Sequence, residues 1–297
     1  MSVVALSKCN SYEKEEVYFA VKKAVDLLGG MHKFVKKGDK VLIKPNLLSP
    51  KKPEKAVTTH PEVVRAIIKL VKEVGGSVFV GDSPGGHVVG SNETSRLLAG
   101  IEKYWQETGM KTICEEEGAQ LVSFETGGVS VFKFPRKHTS EVVVSKLVLS
   151  FDVVINVPKL KTHGMVLFSC AIKNLYGCVP GLRKSSYHKQ AVHPYNFSQL
   201  LVDIYSIVKP KLSIVDGIYG MDGNGPSAGR VKKFGVLIAG GDAVAVDTVA
   251  SKIVGFKKPT EIPFIEIAGK EKLGENSLEK IKIIGDKIDN FIQKRFY

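Results

Sequence analysis

Six basic residues occur in a stretch of fifty residues that contains no acidic side chain. No Asp or Glu occurs between Asp152 and Asp203. The basic residues in between are Lys159, Lys161, Lys173, Arg183, Lys184 and Lys189. Like charges without acidic partners repel one another, and a bound anion removes that cost. The stretch therefore predicts a site for a small phosphorylated or carboxylated ligand. A solvated lysine-rich face and a nucleic-acid surface are the alternative interpretations.

His163 follows Lys159 and Lys161 closely and is the best candidate for a general acid–base group. An unperturbed imidazole has a pKa near neutrality. A cationic neighbour such as Lys173 should lower the pKa of His163, which would keep the ring neutral and able to accept a proton. We therefore predict that His163 and Lys173 take part in catalysis in one pocket, with Asp82 as the third catalytic candidate.

Polar side chains also follow four predicted strands. They are Lys44 and Asn46, Asp82 and Ser83, Lys159, and Asp216. Because ligands of open parallel sheets bind outside the carboxyl ends of the strands, we expect Lys44, Asp82, Lys159 and Asp216 at one edge of one sheet. The residues to which we assign ligand binding are Lys44, Asn46, Ser83, Lys159, Lys161, Asn174, Arg183 and Lys184.

A divalent metal is a further hypothesis. Asp216 and Asp222 carry the carboxylate oxygens that magnesium or manganese prefers, and Asp222 lies in the glycine-rich loop 220–230. The four cysteines form no C-x-x-C pair, so no iron–sulfur cluster is expected within this chain. The chain also lacks the Walker A pattern and the G-x-G-x-x-G fingerprint of dinucleotide-binding proteins.

The composition is that of a globular protein with a sizeable core. The chain has 297 residues, 43% hydrophobic and 25% charged, with a net charge of +13. These values exclude collagen-like and disordered classes, and no apolar run reaches the roughly 20 residues of a membrane span. Four cysteines make no disulfide framework, and the first residues show no signal-peptide pattern. We therefore expect a cytoplasmic protein with no membrane partner.

Hydrophobic periodicity predicts alternating strands and helices. Predicted strands cover 41–44, 78–80, 153–156, 211–216, 234–239 and 281–284. Predicted helices cover 13–28, a segment from Pro61 to the glycines at 75–76, 92–108 (capped by Ser91 or Asn92), 165–175, 195–207 and 243–254. The last forty residues are expected to be mainly helical. This alternation indicates an α/β fold with a doubly wound, mainly parallel sheet, helices on both faces and a small β-rich insertion.

Two domain divisions are compatible with this pattern. In the first, residues 1–297 form a single large α/β domain. In the second, there are two lobes, about 1–115 and 150–297. In both, the short β-rich segments lie in an insertion at 119–147.

Several motifs together resemble one family. They are Val-Leu-Ile-Lys44-Pro-Asn46, Gly81-Asp-Ser-Pro-Gly85, Val-Pro-Lys159-Leu-Lys161-Thr-His163, Ala-Ile-Lys173-Asn174-Leu-Tyr-Gly177, Asp222-Gly-Asn-Gly-Pro226 and Asp242-Ala-Val-Ala-Val-Asp247. This set resembles the uncharacterised family called domain of unknown function 362. Members of that family are often fused to ferredoxin-like iron–sulfur modules, and the family more remotely resembles the amino-terminal part of nickel-pincer lactate racemases. The resemblance implies a common site and an iron–sulfur protein as a partner, without specifying a reaction.

The leading interpretation is an enzyme with a cationic pocket at the sheet edge for a small anionic ligand. The first alternative is a redox accessory or binding protein that works with an iron–sulfur partner. The second, which we favour least, is a nucleic-acid-binding protein that uses Tyr176, Tyr187 and Tyr195 beside the basic residues.

Overall fold

A computed structural model describes residues 1–84, 94–181 and 183–294 of the chain. In this part of the chain the strands are β1 Ser2–Lys8, β2 Lys40–Pro45, β3 Ser77–Asp82, β4 Gln120–Ser123, β5 Val129–Lys133, β6 Glu141–Ser145, β7 Val153–Val157, β8 Lys159–His163, β9 Leu167–Ser169, β10 Leu212–Asp222, β11 Arg230–Gly240 and β12 Ile281–Gly285. The α-helices are α1 Lys14–Leu27, α2 Pro61–Glu73, α3 Thr94–Glu107, α4 Met110–Glu117, α5 Ala171–Asn174, α6 Arg183–Gln190, α7 Pro194–Val208, α8 Ala243–Ile253 and α9 Pro263–Lys270.

One central sheet has the strand order β12-β1-β11-β10-β7-β2-β3-β4. Neighbouring strands in this order are parallel, except that β11 is antiparallel to both β1 and β10. The prediction of a mainly parallel sheet is confirmed. Strand β4 pairs with β3 and so extends this sheet, whereas β5 and β6 form a separate antiparallel pair.

Helices cover both faces of the sheet, as predicted. Side chains of a strand point alternately to its two faces. In β2, Val41 and Ile43 therefore join the core that includes residues of α1 and α2, while Leu42 joins the core that includes residues of α7 and α8. Burial on both faces explains why the parallel strands are continuously apolar.

The segment after β7 differs from its predicted structure. A helix over 165–175 is wrong: β8 and β9 form a hairpin in which Lys161 pairs with Ser169 and His163 with Leu167. Within the predicted range the structure has the four-residue α5, which continues directly into the 3₁₀ turn Leu175–Cys178. Strand β8 forms because β10 continues past Asp216 and provides a pairing partner for β8. Asp216 therefore lies inside a strand rather than at its end.

The remaining predicted helices show one further difference, in the last forty residues. The predicted cap at Ser91 or Asn92 lies outside the described residues. In the last forty residues, α9 is the one α-helix that the structure describes, with β12 and short 3₁₀ turns after it. None of the described helices has the length and apolarity needed to cross a membrane.

Candidate functional site

An ion pair links the ends of β2 and β3. Lys44 Nζ lies 2.8 Å from Asp82 Oδ1, and both side chains are buried. The second oxygen of Asp82 accepts a hydrogen bond from the backbone N–H of Leu47 at 2.8 Å. Gly177 packs so closely on this pair that a Cβ there would lie 2.6 Å from Lys44 Nζ, and closer still to Asp82. The charges of Lys44 and Asp82 are thus mutually neutralised beneath the 3₁₀ turn that contains Gly177.

Three asparagines form a hydrogen-bonded chain beside this pair. Asn46 Nδ2 donates to Asn174 Oδ1 at 3.1 Å, and Asn174 Nδ2 donates to Asn156 Oδ1 at 2.8 Å. Asn156 donates in turn to the carbonyl oxygen of Ala171 at 2.9 Å. The chain fixes the direction of each amide, so Asn46 Oδ1 is left as an acceptor for a cation.

Lys161 donates to that acceptor and has no carboxylate partner among the described residues. Its Nζ lies 3.0 Å from Asn46 Oδ1 and 2.7 Å from the carbonyl oxygen of Val57. Burial, and then the charges of Lys173 and Lys159, hold the pKa of Lys161 well below its usual range. A bound anion would stabilise the protonated form of Lys161, and the two acceptors would leave the third hydrogen of that ammonium group available for the ligand.

Among the lysines at this site, Lys173 has the fewest polar contacts. Within the described part of the chain, its Nζ has no hydrogen-bond or ion-pair partner and lies 4.7 Å from the ring centre of Tyr176 and 5.6 Å from that of Phe197. Burial, and then the charges of Lys184 and Lys44, lower the pKa of Lys173 to about 7. A large share of Lys173 is therefore neutral at physiological pH.

His163 is a neutral ring with one nitrogen already occupied. Its Nδ1 accepts hydrogen bonds from the backbone N–H groups of Met165 and Val166, at 3.2 and 3.4 Å. Burial lowers the pKa of His163 to about 2, with Lys173 as the second cause. The hydrogen of the neutral ring therefore sits on Nε2, which makes His163 a hydrogen-bond donor. This arrangement favours a donor role over the predicted base.

Lys184 lies next to the residues that follow β3, and its contacts are with them. Its Nζ donates to Ser83 Oγ and to the Ser83 carbonyl oxygen at 2.6 Å each, and to the Pro84 carbonyl oxygen at 3.0 Å. Ser83 in turn donates to the carboxylate of Glu125. All three hydrogens of Lys184 are thus used within the protein, although burial lowers the pKa of Lys184 to about 8.

These side chains line two adjoining hollows, which we call together the lysine cleft. The hollows measure about 60 and 220 Å³ and share Asn46, Leu48, Lys173, Tyr176 and Lys184. Asp82, Ser83 and Asn174 line the smaller hollow, and Lys161, His163 and Pro226 line the larger one. The larger hollow has room for inorganic phosphate or a small organic acid.

The glycine-rich loop between β10 and β11 forms part of the wall of the lysine cleft. Its Gly225 lies directly against β8, where a Cβ would collide with Thr162. This close approach brings Pro226 to the wall of the lysine cleft. A ligand in the lysine cleft would therefore contact this loop at Pro226, whereas Asp222 is turned to Arg230 and Lys232.

Lys159 and Asp216 form a second buried ion pair apart from the cleft. Lys159 Nζ lies 2.9 Å from Asp216 Oδ2 and donates to the Tyr12 hydroxyl at 2.7 Å. Asp216 also accepts from that hydroxyl and from the backbone N–H of His60. His60 caps α2, with its Nδ1 accepting from the N–H of Glu62. Lys159 and Asp216 are fully engaged in structural contacts.

The structure does not bring the remaining candidates into the lysine cleft. Arg183 is exposed on α6 and lines a separate hollow with His138 and Gln190. The helix turns Arg183 and Lys184 in different directions, so only Lys184 points inward. Within residues 1–84, 94–181 and 183–294, no group of three His, Cys, Asp or Glu residues is placed to hold a metal ion. Asp216 and Asp222 are not free to bind a metal, because Lys159 pairs with Asp216, and Arg230 and Lys232 pair with Asp222.

Sequence reasoning missed four residues that shape the site. Glu125 and Leu48 follow no recognisable motif, and the sequence places Tyr176 only in a family-like motif and in the nucleic-acid alternative. Asp247 stands in one of the family-like motifs and accepts from the backbone N–H groups of Ala171 and Ile172 at 2.6 and 2.9 Å. A buried aspartate spaced five residues after the helix-capping Asp242 is a weak signal on its own.

A much larger hollow lies between α1, α2 and α4, with a volume of about 990 Å³. Its lysines are matched by glutamates, for example Lys69 with Glu117 at 3.7 Å. Mixed charges on an open surface provide no directed set of groups for a ligand. The lysine cleft, although smaller, is where uncompensated charge and oriented amides converge.

Comparisons with known proteins agree with the motifs. Residues 41–252 match the family described as Domain of unknown function (DUF362). A thylakoid-associated protein of Synechocystis sp. is 37% identical over 274 residues, which cover 92% of this chain and 80% of that protein.

Two solved structures show weaker likeness. A Thermotoga maritima protein has a TM-score of 0.48 at 13% identity, over 89% of this chain and 60% of that one. The lactate racemase apoprotein of Thermoanaerobacterium thermosaccharolyticum has a TM-score of 0.38 at 12% identity, over 81% of this chain and 54% of that one. The present chain thus spans less than two thirds of either protein, and neither likeness carries an argument about its ligand.

Proposed function

The chain belongs to the family called domain of unknown function 362, and from that premise we propose that it is an enzyme that binds a small phosphorylated or carboxylated molecule in the lysine cleft. The observation that carries the proposal is the state of Lys173. Lys173 is half-buried, and its ammonium group faces the cleft with no ion-pair partner among the described residues, although a partly desolvated charge without a partner is costly. A ligand anion supplies that partner.

The positions of the basic residues favour a small ligand over a nucleic acid. Lys159, Lys161 and Lys184 are buried, so these charges cannot follow a phosphate backbone along the surface. Tyr176 and Tyr187 are buried as well and offer no stacking platform. A cavity of about 220 Å³ admits only a compact molecule.

The donors on which this proposal draws are the Nε2–H of His163, one hydrogen of protonated Lys161 and the ammonium group of Lys173. A bound anion stabilises the protonated form of Lys173 and so raises its pKa above about 7. Binding is then coupled to proton uptake near neutral pH. The same lysine is suited to moving a proton to or from a bound substrate, because its pKa lies close to the working pH.

Thermal unfolding with and without inorganic phosphate tests the proposal. We expect phosphate to raise the Tm of the parent protein above the value in sodium chloride of equal ionic strength. A phosphate concentration a hundredfold above the Kd stabilises the folded protein by roughly 2.7 kcal/mol. Lys173→Met should lose this response, because the variant keeps the side-chain bulk but not the charge.

Lys189→Met is the matched control, since Lys189 belongs to the same acid-free stretch but is exposed on α6. This variant should respond to phosphate like the parent. The proposal is wrong if phosphate and a panel of small carboxylates have no effect, or if Lys173→Met responds as strongly as the parent. Circular dichroism of each variant separates a lost site from a lost fold.

A further inference from the structure

We propose that Lys173 is a nucleophile that forms a Schiff base with the carbonyl group of a 2-oxo acid bound in the lysine cleft. The inference rests on the proposed function and narrows its substrate class to molecules that carry both a carboxylate and an adjacent carbonyl carbon.

The geometry first distinguishes Lys173 from the lysines around it. Lys44 is paired with Asp82, and Lys184 donates to three oxygens. Lys161 is held by Asn46 and Val57. Lys173, in contrast, has no polar partner in the described part of the chain and lies at the cleft wall. Its nitrogen lone pair is available whenever the group is neutral.

The surrounding charges keep Lys173 partly neutral. Lys44 and Lys184 both disfavour a further positive charge at this position, and burial acts in the same direction. A neutral amine held among other cations is the arrangement that makes a lysine nucleophilic towards carbonyl groups. The rings of Tyr176 and Phe197 hold the amine in place without consuming its lone pair.

The same cleft provides for the carboxylate of such a substrate. The Nε2–H of His163 is free because Nδ1 accepts the backbone hydrogen bonds, and Lys161 has one unused hydrogen. A carboxylate held by these two donors leaves the neighbouring carbonyl carbon to Lys173. A simple phosphate ester would use the cations but would leave the amine without a reaction partner.

The chemical step is a condensation. The nitrogen of Lys173 forms a bond to the carbonyl carbon, and both amine hydrogens leave with the carbonyl oxygen as water. The imine nitrogen then takes one proton from solvent and becomes an iminium cation. That cation withdraws electrons from the adjacent carbon, which is where the substrate then reacts.

Reductive trapping tests this step. The parent protein is incubated at pH 7 with pyruvate and cyanoborohydride, and the modified peptides are mapped by mass spectrometry. We expect one dominant reduced adduct, at Lys173, about tenfold or more above the level at any surface lysine, because those amines are almost fully protonated at this pH. Inorganic phosphate should suppress the adduct by competing for the cleft.

Two matched variants identify the residue responsible. Lys173→Arg keeps a positive charge but has no amine to condense, so the dominant adduct should disappear. Lys189→Arg removes a surface lysine and should leave the adduct unchanged. Should Lys173→Arg not fold, the peptide map of the parent protein decides by itself.

The proposal is overturned if adducts are spread evenly over surface lysines, or if none forms at Lys173. Failure of the proposed function looks different, because it removes the thermal response to phosphate as well. A protein that phosphate stabilises but pyruvate does not modify binds anions in the cleft without Schiff-base chemistry.

Discussion

Lys44 and Lys173 are close enough for their charges to interact, yet their environments differ in kind. Lys44 is fully buried and has the carboxylate of Asp82 at 2.8 Å. Lys173 faces the cleft beside other cations and forms no ion pair with the described residues, and its pKa falls to about 7. Lys44 is therefore a structural charge. The protonated form of Lys173, in contrast, is destabilised in the folded protein, so the free energy of unfolding should depend on pH.

The stability of Lys173→Met relative to the parent should depend on pH. In the unfolded chain the pKa of Lys173 is about 10.4, whereas in the folded protein it is about 7. Between these values the unfolded state binds more protons, so the parent gains stability as pH rises. The variant should therefore be the more stable protein at pH 6 to 7. Its advantage should shrink towards pH 10 by at most about 1.4 kcal/mol per pH unit.

Urea unfolding of both proteins across this pH range measures the difference. Taking the difference cancels the titration of groups that do not sense Lys173, whereas the pKa of Lys161, which the charge of Lys173 lowers, changes together with the substitution. A constant difference between the two proteins at all pH values would mean that Lys173 is an ordinary, solvated lysine.

At the scale of elements, the four-residue helix α5 decides where Lys173 and Asn174 lie. A helix of one turn has no stability of its own, because nucleation costs more than its few hydrogen bonds return. Asp247 from α8 accepts from the N–H groups of Ala171 and Ile172, at 2.6 and 2.9 Å. A contact from a different element therefore holds this part of the cleft in place.

Asp247→Ala should accordingly damage both the fold and the site. It leaves two buried N–H groups without an acceptor, so we expect the free energy of unfolding to fall by about 3 kcal/mol. The thermal response to phosphate should weaken too, because Lys173 loses its fixed position. Asp247→Asn retains one acceptor oxygen and should lie between the variant and the parent. Unchanged stability and response in Asp247→Ala would show that α5 is held by packing alone.

At the scale of the whole molecule, the central sheet joins distant parts of the chain. Val4 of β1 pairs with Gly240 of β11, and Ser2 pairs with Ile281 of β12. Strands from both predicted lobes are thus neighbours in one sheet. The lysine cleft depends on this joining, since β2 and β3 supply Asn46 and Asp82 while later segments supply Lys161 and Lys173.

We therefore expect the chain to unfold in one cooperative transition. The fluorescence of Trp105, the one tryptophan of the chain, follows the first half of the sequence, and far-UV circular dichroism follows all elements. The two signals should give coincident urea curves. Separate midpoints would instead support two lobes, about 1–115 and 150–297, that unfold independently.

The sequence by itself determined the main elements and the edge of the sheet at which Lys44 and Asp82 meet. Strands β2, β3 and β7 and helices α1, α2, α7 and α8 follow from local hydrophobic periodicity, which depends only on neighbouring residues. The convergence of Lys44 and Asp82 was also predictable, since the carboxyl ends of adjacent parallel strands share one edge.

Only the tertiary structure decided which charges are paired and which remain open. Lys159 meets Asp216 because β8 pairs with β10, and that pairing arises between segments more than fifty residues apart. Arg183 and Lys184 are neighbours in sequence, yet the turn of α6 exposes one and buries the other. A sequence records the charges themselves, whereas their burial and their partners depend on long-range pairing. Long-range pairing gives Lys159 the carboxylate of Asp216, whereas Lys173 lies at the cleft with no hydrogen-bond or ion-pair partner in the described part of the chain.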